Sequence, residues 1–248
     1  MCLIAWDWQP DADMPLLLIA NRDEFYARPT QALHAWEATP IVAGKDLQAG
    51  GSWLGVAGAR RLAALTNVRD LRHHRPDAPS RGALVSGFLS GQQTAADYLA
   101  QVAQEATQFN PFNLLVFDGD SLCGLQSQSA HVQHFAPGLG AVSNAGFGTP
   151  WPKLLMLQSG LGALQGAQRT DTDALFALLA HDQSAPDHLL PDTGLPPERE
   201  RLLSRAFIRS ADYGTRASSI VMLRRNSAEF TERSFDARGP TGQVRIAL

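Results

Sequence analysis

The first third of the chain alternates short apolar segments with turn residues, a pattern that predicts β-strands. Five segments have this pattern: CLIAWDW, PLLLIAN, IVAG, SWLGVAG and RLAALTNV. The first two flank a turn rich in Asp and Pro, and Gly50-Gly51 marks a tight bend farther along. The N-terminal part of the chain is therefore predicted to be a meander of strands.

Apolar residues at helical spacing occur in two separate blocks. The predicted helices are residues 81–91, 94–109, 151–161, 170–182 and 199–208. The remaining strands are predicted at FNLLVFDGDSLCGLQS, HVQHFA, GAVSN, SSIVMLRR, EFTERSFD and GQVRIAL. Thr94 is a suitable N-cap, and Asp118-Gly119-Asp120 predicts a hairpin turn. Because strands and helices do not alternate regularly, we expect an α+β fold of two mainly antiparallel sheets with helices outside them.

Length and charge limit the function classes. A chain of 248 residues suits one domain over residues 1–248. A net charge of −3 gives no electrostatic case for nucleic acid or membrane binding. The longest apolar run, residues 15–20, is too short to span a bilayer, and no secretory signal is recognised. Two cysteines give no disulfide framework, so a cytoplasmic protein is expected.

A cysteine follows the initiator methionine, and the second predicted strand leads into the polar cluster Asn21-Arg22-Asp23-Glu24. A hairpin that turns near residues 11–13 would place Cys2 opposite residues 21–23. One register puts Arg22 on the same face as the thiol, and the other puts Asn21 and Asp23 there. The sequence leaves this register open, but either choice brings the thiol close to the cluster.

Such proximity permits nucleophilic catalysis. Removal of Met1 would leave Cys2 with both a thiol and an α-amine, and an α-amine titrates near ~7.7–8. That amine can act as general base for its own thiol. Asp23 could hold the ammonium form, and asparagine amides could stabilise an oxyanion. The alternative is that Cys2 is a small buried hydrophobe and the cluster a solvated strand end.

Several motifs together resemble the NRDE family, also called Transport and Golgi Organisation 2. They are MCLI, ANRDEFYARPT, AGKDLQAGGSWLGV, ALTNVR, VSNA with the following WPK, and YGTRASSIVML. The resemblance extends from Met1 to about Leu223. It implies the N-terminal nucleophile (Ntn) hydrolase architecture of four layers, α, β, β and α. It also implies similarity to cysteine Ntn amidases of the cholylglycine and penicillin V type.

The resemblance assigns roles to individual residues. It implies catalytic roles for Cys2 as nucleophile, Asp23 beside its amine, Asn67 and Asn144 as oxyanion and amine-positioning amides, and Arg216 as the late arginine. Asn21 would complete the Asn-x-Asp segment as a substrate-binding residue. The amidases carry an arginine just before this segment, where this chain has Ala20. Arg22 would instead help to position an anionic or polar substrate.

Other readings of these residues stay open. Asn67 and Asn144 could be plain turn asparagines, and Arg216 could cap the end of the sheet. Trp53 could line a cleft or pack in the core. No set of His, Cys and Asp has metal-ligand spacing, so no metal is expected.

Three hypotheses of function follow. The first is hydrolysis of a small-molecule amide through Cys2, with no cofactor required. The second is a non-catalytic haem carrier that uses the same cleft or the basic loop Arg72–Arg75, which contains His73 and His74. The third is a scaffold without either activity. An activated Cys2 should alkylate faster than Cys123 and have a depressed pKa. The sequence contains no signal for the oligomeric state.

Overall fold

Two antiparallel sheets form the centre of the protein, whose computed structural model describes residues 2–70 and 75–248. The first sheet has, in spatial order, β10 (Gly138–Val142), β1 (Cys2–Trp8), β2 (Leu16–Phe25), β11 (Tyr213–Leu223), β12 (Ala228–Asp236) and β13 (Gly239–Ala247). The second has β3 (Thr30–Ala35), β4 (Ile41–Asp46), β5 (Leu54–Ala57), β6 (Arg61–Asn67), β7 (Phe112–Phe117), β8 (Leu122–Gln126) and β9 (His131–His134). The second sheet is thus a simple meander, whereas β11 joins the first sheet from far along the chain.

Helices cover the outer face of each sheet. They are α1 (Gly82–Ser90), α2 (Ala95–Glu105), α3 (Pro152–Ala163), α4 (Thr172–Leu179) and α5 (Pro197–Leu203). Short 3-10 helices lie at Ala106–Gln108, Gly166–Thr170 and Asp187–Leu189. None of the helices in the described ranges is both long and apolar enough to cross a membrane.

Three hydrophobic clusters define the layers. One lies between the two sheets and contains Trp6 and Phe230 from the first sheet and Phe117 from the second. Another joins the second sheet to α1 and α2, and a third joins the first sheet to α3 and α4. Alternate residues of each strand supply opposite faces, because side chains of a β-strand point to opposite sides in turn. The resulting order α, β, β, α confirms the predicted architecture.

Most predicted elements are present. Thr94 caps α2 by accepting a hydrogen bond from the Asp97 N–H at 3.1 Å, and β7 and β8 form the predicted hairpin. Two differences concern strands. β3 was not predicted, because only Leu33 of that strand is buried and its pattern is weak. β2 extends through the polar cluster to Phe25, because β1 and β11 pair with it on both sides.

The bend at Gly50-Gly51 brings the loop after β4 against the start of α1. Both glycines have positive φ, 68° and 74°. A Cβ on Gly51 would lie 2.3 Å from the carbonyl carbon of Gly82. Glycine is therefore required here for both backbone conformation and close approach. This contact forms part of the wall of the cavity that contains Cys2.

Candidate functional site

A cavity of about 470 Å³ opens at the start of β1 and at the last residues of β2, β4 and β6. Its walls come from both sheets, from the loop after β4 and from the segment that leads into α1. The lining residues are Cys2, Arg22, Asp23, Glu24, Arg28, Asp46, Gln48, Ala49, Gly50, Ser52, Trp53, Leu65, Asn67, Pro76, Ala78, Pro79, Ser80, Arg81, Gly82 and Asn110. Five of the residues proposed from the sequence are among them: Cys2, Arg22, Asp23, Trp53 and Asn67.

The register of β1 and β2 resolves the alternatives that the sequence left open. Cys2 lies directly opposite Arg22. The following even-numbered residues of β1, such as Ile4, belong to the cluster between the sheets, so the thiol and the guanidinium share the inter-sheet face. The Arg22 guanidinium carbon lies 4.4 Å from the ring centroid of Trp53, and its Nη2 lies 3.6 Å from Asp46 Oδ2.

Arg22 retains one binding group that no described residue uses. Its side chain is 6 % exposed, and its Nη1 makes no hydrogen bond to any residue in the described ranges. A buried guanidinium nitrogen without an acceptor is unfavourable, and a ligand oxygen could satisfy it. Arg28 shares Asp46 with Arg22 and also lies 3.8 Å from Glu24. The cavity wall therefore contains paired charges and one hydrogen-bond donor, Arg22 Nη1, that is available to a ligand.

Asp23 lies on the opposite face of β2 but reaches the cavity at the end of the strand. Its Oδ1 accepts a hydrogen bond from the Thr215 hydroxyl at 2.7 Å. Burial raises the pKa of Asp23, and the positive charge of Lys153 opposes that rise. A buried carboxylate at this point can hold an amine at the start of β1, which is the role implied by the resemblance.

Asn67 and Asn144 are adjacent, but they line different cavities. Asn67 ends β6 and lines the cavity. Asn144 Nδ2 donates to the backbone oxygen of Asn67 at 2.9 Å, so this amide supports Asn67. Ser143 links the pair to β1 by donating to the Cys2 carbonyl at 3.4 Å. Asn144 lines a separate cavity with Arg69 and Trp151, and its own oxyanion role stays a prediction.

Asn21 lies outside the cavity. It shares the helix-facing side of β2 with Ile19, and its Nδ2 donates to the carbonyls of Leu179 at 2.8 Å and Ala206 at 2.7 Å. Its Oδ1 accepts from the Ser218 hydroxyl at 2.6 Å. These bonds fasten the helical layer to the first sheet. The substrate-binding role of Asn21 stays a prediction that this placement does not favour.

Arg216 also lies outside the cavity that contains Cys2. Its guanidinium donates to the carbonyls of Phe25, Tyr26, Arg28 and Phe235 and to the Thr30 hydroxyl, at 3.0 to 3.2 Å. It lines a neighbouring cavity of about 300 Å³, which includes Arg22 and Trp53. Arg216 therefore lines a second cavity, which shares Arg22 and Trp53 with the cavity that contains Cys2, and its catalytic role stays a prediction.

The thiols have raised pKa values. Burial raises the pKa of Cys2, in contrast to the depressed value expected for an activated thiol. Burial also raises the pKa of Cys123, to about 11. Both cysteines are free thiols. Cys2 differs from Cys123 in lining the cavity, and a protonated thiol there needs a base to become a nucleophile.

Two cationic residues near Cys2 were not identified from the sequence. Arg81 precedes α1 and lines the cavity, and Lys153 lies in the first turn of α3. Lys153 belongs to the quoted motif WPK, where it interrupts the apolar helical spacing; this was the available signal. Arg81 is the first residue of the helix predicted over residues 81–91, and nothing in that pattern distinguished it from a solvent-exposed arginine at a helix start. The loop proposed for haem, residues 72–75, lies outside the described residues except for Arg75.

Comparisons with known proteins identify the family. The sequence profile of Transport and Golgi organisation 2 matches residues 1–237. The Transport and Golgi organization protein 2 homolog of Bos taurus is 35% identical over 265 residues, covering 97% of this chain and 95% of that protein. The Homo sapiens homolog is 33% identical over 258 residues, covering 94% and 93%.

A solved structure shares the fold. The Caenorhabditis elegans ortholog of N-acylethanolamine-hydrolyzing acid amidase superposes with a TM-score of 0.51 and 11% identity, covering 92% of this chain and 98% of that chain. This likeness shows an Ntn-hydrolase-like fold and nothing further. The family match extends over nearly the whole chain, in agreement with the motifs around Cys2. The chain belongs to the Transport and Golgi organisation 2 family.

Proposed function

We propose that the chain, after removal of Met1, hydrolyses a non-peptide C–N amide bond of a small molecule through an acyl-enzyme on Cys2. One observation carries the proposal: Cys2, Asp23 and Asn67 come from three different strands and line one cavity. The likeness to a protein named for hydrolysing N-acylethanolamines, which are amides, gives the reaction class further support.

The first half-reaction forms a thioester. The α-amine of Cys2 accepts the proton of the thiol, and Sγ attacks the carbonyl carbon of the substrate. The Asn67 amide, supported by Asn144, donates to the oxyanion that forms. When the C–N bond breaks, the leaving amine takes the proton from the α-ammonium. Asp23 keeps that ammonium in place while it holds the proton.

The second half-reaction releases the acid. Water gives a proton to the α-amine and attacks the thioester carbonyl, and the C–S bond breaks. The thiolate recovers a proton from the α-ammonium, so the site returns to its starting state. Burial raises the pKa of Cys2, so the thiol stays protonated until the α-amine accepts its proton during the attack; this raised pKa opposes the transfer and does not itself support the proposal.

The substrate needs a polar or anionic group near the scissile amide. Arg22 is opposite Cys2 and has a buried, unused Nη1 among the described residues, and Trp53 stacks on its guanidinium. A carboxylate or other oxygen acceptor would pair with Arg22. Two free thiols suit a reducing compartment, so we infer that the reaction takes place in the cytoplasm.

A haem carrier is the alternative use of the same cavity. Arg22, Arg28 and Arg81 line it and could bind the carboxylates of haem propionates, and Cys2 could offer a thiolate to the iron. The raised pKa of Cys2 disfavours thiolate ligation, because the ligand must lose its proton. Haem titration of the wild type and Cys2→Ala tests this alternative through the absorption of the bound haem.

The proposal is tested in two steps. Intact mass first establishes whether Met1 is absent from the protein made in its own host. The processed protein is then incubated with a panel of N-acyl amides, some of them with a carboxylate near the amide, and the mass is measured again. We expect an acyl adduct at Cys2, absent in Cys2→Ala and retained in Cys123→Ala. Retention of Met1 in the host, or the absence of any adduct across the panel, would favour the carrier.

A further inference from the structure

Lys153 is a buried cation whose Nζ has no hydrogen-bond partner among the described residues. Its side chain is 3 % exposed, and its Nζ makes no hydrogen bond to any residue in ranges 2–70 and 75–248. It is the second residue of α3, where the helix dipole disfavours a positive charge. Burial and helix position thus both oppose an ammonium at this point. A buried lysine in such an unfavourable position is therefore a candidate for a functional role.

The packing of α3 places Lys153 at the end of β1 that contains Cys2. Gln158, in the middle of α3, donates to the Leu139 carbonyl at 3.2 Å, and Leu139 pairs with Asp7 near the far end of β1. A Cβ on Gly162, near the end of α3, would lie 2.5 Å from the Leu139 side chain. The second half of α3 therefore lies at the far end of β1. Trp151, just before the helix, stacks on Arg69, whose N–H donates to the Asn144 carbonyl, so the first turn of α3 lies towards the end of β1 that contains Cys2.

The helix side of the site, which is the side that faces α3 and α5, already contains paired charges before the α-amine of Cys2 is considered. Arg69, from the loop after β6, pairs with Glu200 of α5 at 2.5 Å, and the Arg69 guanidinium stacks 4.9 Å from the Trp151 ring centroid. The other oxygen of Glu200 accepts from the N–H and hydroxyl of Thr193. Glu200 is thereby committed to these partners.

Besides Glu200, the carboxylate of the described residues whose charge acts on Lys153 is Asp23. Burial lowers the pKa of Lys153 to about 8, and the positive charge of Arg69 lowers it further. The charge of Asp23 opposes this decrease, and Cys2 and Glu200 oppose it more weakly. Tyr213, at the start of β11, is neutral here because burial raises its pKa well above the usual value. The charges of Lys153 and Asp23 thus partly offset each other on the helix side, without a hydrogen bond from the Lys153 Nζ among the described residues.

The cavity side adds positive charge. Arg22 and Arg28 share Asp46, and Arg28 also approaches Glu24. Arg81 donates to the Pro111 carbonyl at 3.1 Å and adds a further cation to the same wall. A protonated α-amine on processed Cys2 would therefore enter a site that already carries an excess of positive charge. That amine would share the Asp23 carboxylate with Lys153, whose charge acts on Asp23.

We propose that Lys153 is a positioning residue of the Cys2 site, which shares the Asp23 carboxylate with the α-amine of processed Cys2 and keeps that amine in its proton-accepting form. The inference rests on the proposed function because it concerns the same processed thiol. The α-amine can then take the thiol proton near neutral pH, and the resulting ammonium returns that proton to the leaving amine. Lys153 exchanges no atom with the substrate.

The choice of lysine is notable in this composition. Of 21 basic residues in the chain, only Lys45 and Lys153 are lysine. Arginine stays charged at all relevant pH values, whereas a buried lysine can lose its proton. A lysine next to a second amine gives a coupled pair, in which the proton can move to either group as the site changes charge.

The test is a titration of Cys2 in the processed full-length chain. Because Cys2 and Cys123 are the only cysteines, carbon-13 cysteine in a Cys123→Ser background labels Cys2 alone. The Cα shift reports the ionisation of the amine, and the Cβ shift reports that of the thiol. The variants are Lys153→Met, which removes the charge, and Lys153→Arg, which keeps it. Lys45→Met is the matched control.

We expect the amine of the wild type to titrate below the ~7.7–8 of an ordinary α-amine. Lys153→Met should raise that midpoint by about one pH unit, which leaves about tenfold less neutral amine well below the midpoint. Lys153→Arg should keep the low midpoint, and Lys45→Met should not change it. A purely structural lysine would change stability without moving the titration.

Two results would overturn the inference. One is a wild-type amine midpoint at or above about 8, which needs no variant and so decides the matter even if Lys153→Met does not fold. The other is an equal midpoint in Lys153→Met and Lys45→Met. Either result is independent of hydrolysis, because the titration is read without substrate. If Lys153→Met shifts the midpoint of the amine titration but no acyl adduct forms, the proposed function is wrong and the role of Lys153 is retained.

Discussion

Cys2 and Arg22 lie directly opposite each other in the antiparallel pair of β1 and β2, with both side chains on the inter-sheet face. The stack on Trp53 and the ion pair with Asp46 hold the guanidinium in this position. A negatively charged group bound by Arg22 would therefore lie beside the thiol. This relationship links substrate charge to reactivity at Cys2.

Arg22 should make Cys2 prefer an anionic electrophile. Iodoacetate and iodoacetamide differ mainly in charge, so the ratio of their alkylation rates at Cys2 reports the local field. We expect Arg22→Met to lower this ratio about tenfold, which corresponds to ~1.4 kcal/mol. The rates are measured by mass spectrometry of the N-terminal peptide.

The matched control for Arg22 is Arg60→Met. Arg60 is an exposed arginine whose ion pair with Asp120 lies at the β7–β8 turn, away from the cavity. This variant should leave the ratio unchanged. Equal ratios in Arg22→Met and the wild type would show that Arg22 does not bind anions beside the thiol.

Asn21 should contribute to stability rather than to the site. Asn21→Ala leaves the carbonyls of Leu179 and Ala206 without their buried donor, so we expect the free energy of unfolding to fall by about 2–3 kcal/mol. Urea denaturation measures this change. Ser218→Ala, which removes one hydrogen bond to Asn21, should cost less. A small loss in Asn21→Ala, with slower alkylation of Cys2, would instead support a substrate-binding role.

Glu232 should make stability depend on pH. Burial raises its pKa to about 7 from 4.5, although it accepts hydrogen bonds from the Leu33 N–H and the Ser219 hydroxyl. Between these pH values the folded chain keeps the proton and the unfolded chain releases it. The free energy of unfolding should therefore decrease as pH rises from about 4.5 to 7, with the contribution fully present only at lower pH.

The comparison that isolates Glu232 is with Glu232→Gln. The wild type should lose about 2–3 kcal/mol relative to the variant across this window, since one pKa unit corresponds to ~1.36 kcal/mol. Urea denaturation at several pH values measures the difference, and other titrating groups cancel. Parallel curves for the two proteins would show that Glu232 ionises equally in the folded and unfolded states.

Arg216 should hold the chain after β2 against β12. Arg216→Lys keeps the charge but cannot supply the five donors of a guanidinium, so we expect a loss of about 1–3 kcal/mol in unfolding free energy. The ratio of iodoacetate to iodoacetamide rates at Cys2 should stay the same. Unchanged stability with slower formation of the acyl adduct would instead support the catalytic role that the family resemblance implies.

The hydrophobic pattern was sufficient to predict most helices and strands, but not to predict which strands pair with each other. Period-two segments predicted the strands of the second sheet except β3, and these strands pair with their neighbours along the chain as a meander. The pairing of β11 with β2 is different, because it joins residues almost 200 positions apart, as in Thr215 with Asp23. Neither strand contains a signal for the other. For the same reason, no pattern could show that Thr215 supports Asp23.

Candidate residues were found where a polar group ends an apolar strand, as with Cys2, Asp23 and Asn67. Asn21 and Arg216 resembled them in sequence, but the structure turns Asn21 towards the helices and surrounds Arg216 with carbonyls. Lys153 was missed because a lysine at the start of a helix usually points to solvent. Only the packing of α3 on β1 buries it.

The sequence by itself determined the layered α+β architecture and the proximity of the thiol to the polar cluster, because these follow from local periodicity and from a short hairpin. It also contained the motifs by which the chain resembles its family. Tertiary structure decided the single-residue register that places Arg22 beside Cys2. It also decided which charges are buried together, as with Asp23 and Lys153. Both depend on contacts between distant segments, whose free energies are set by burial and packing rather than by any local pattern.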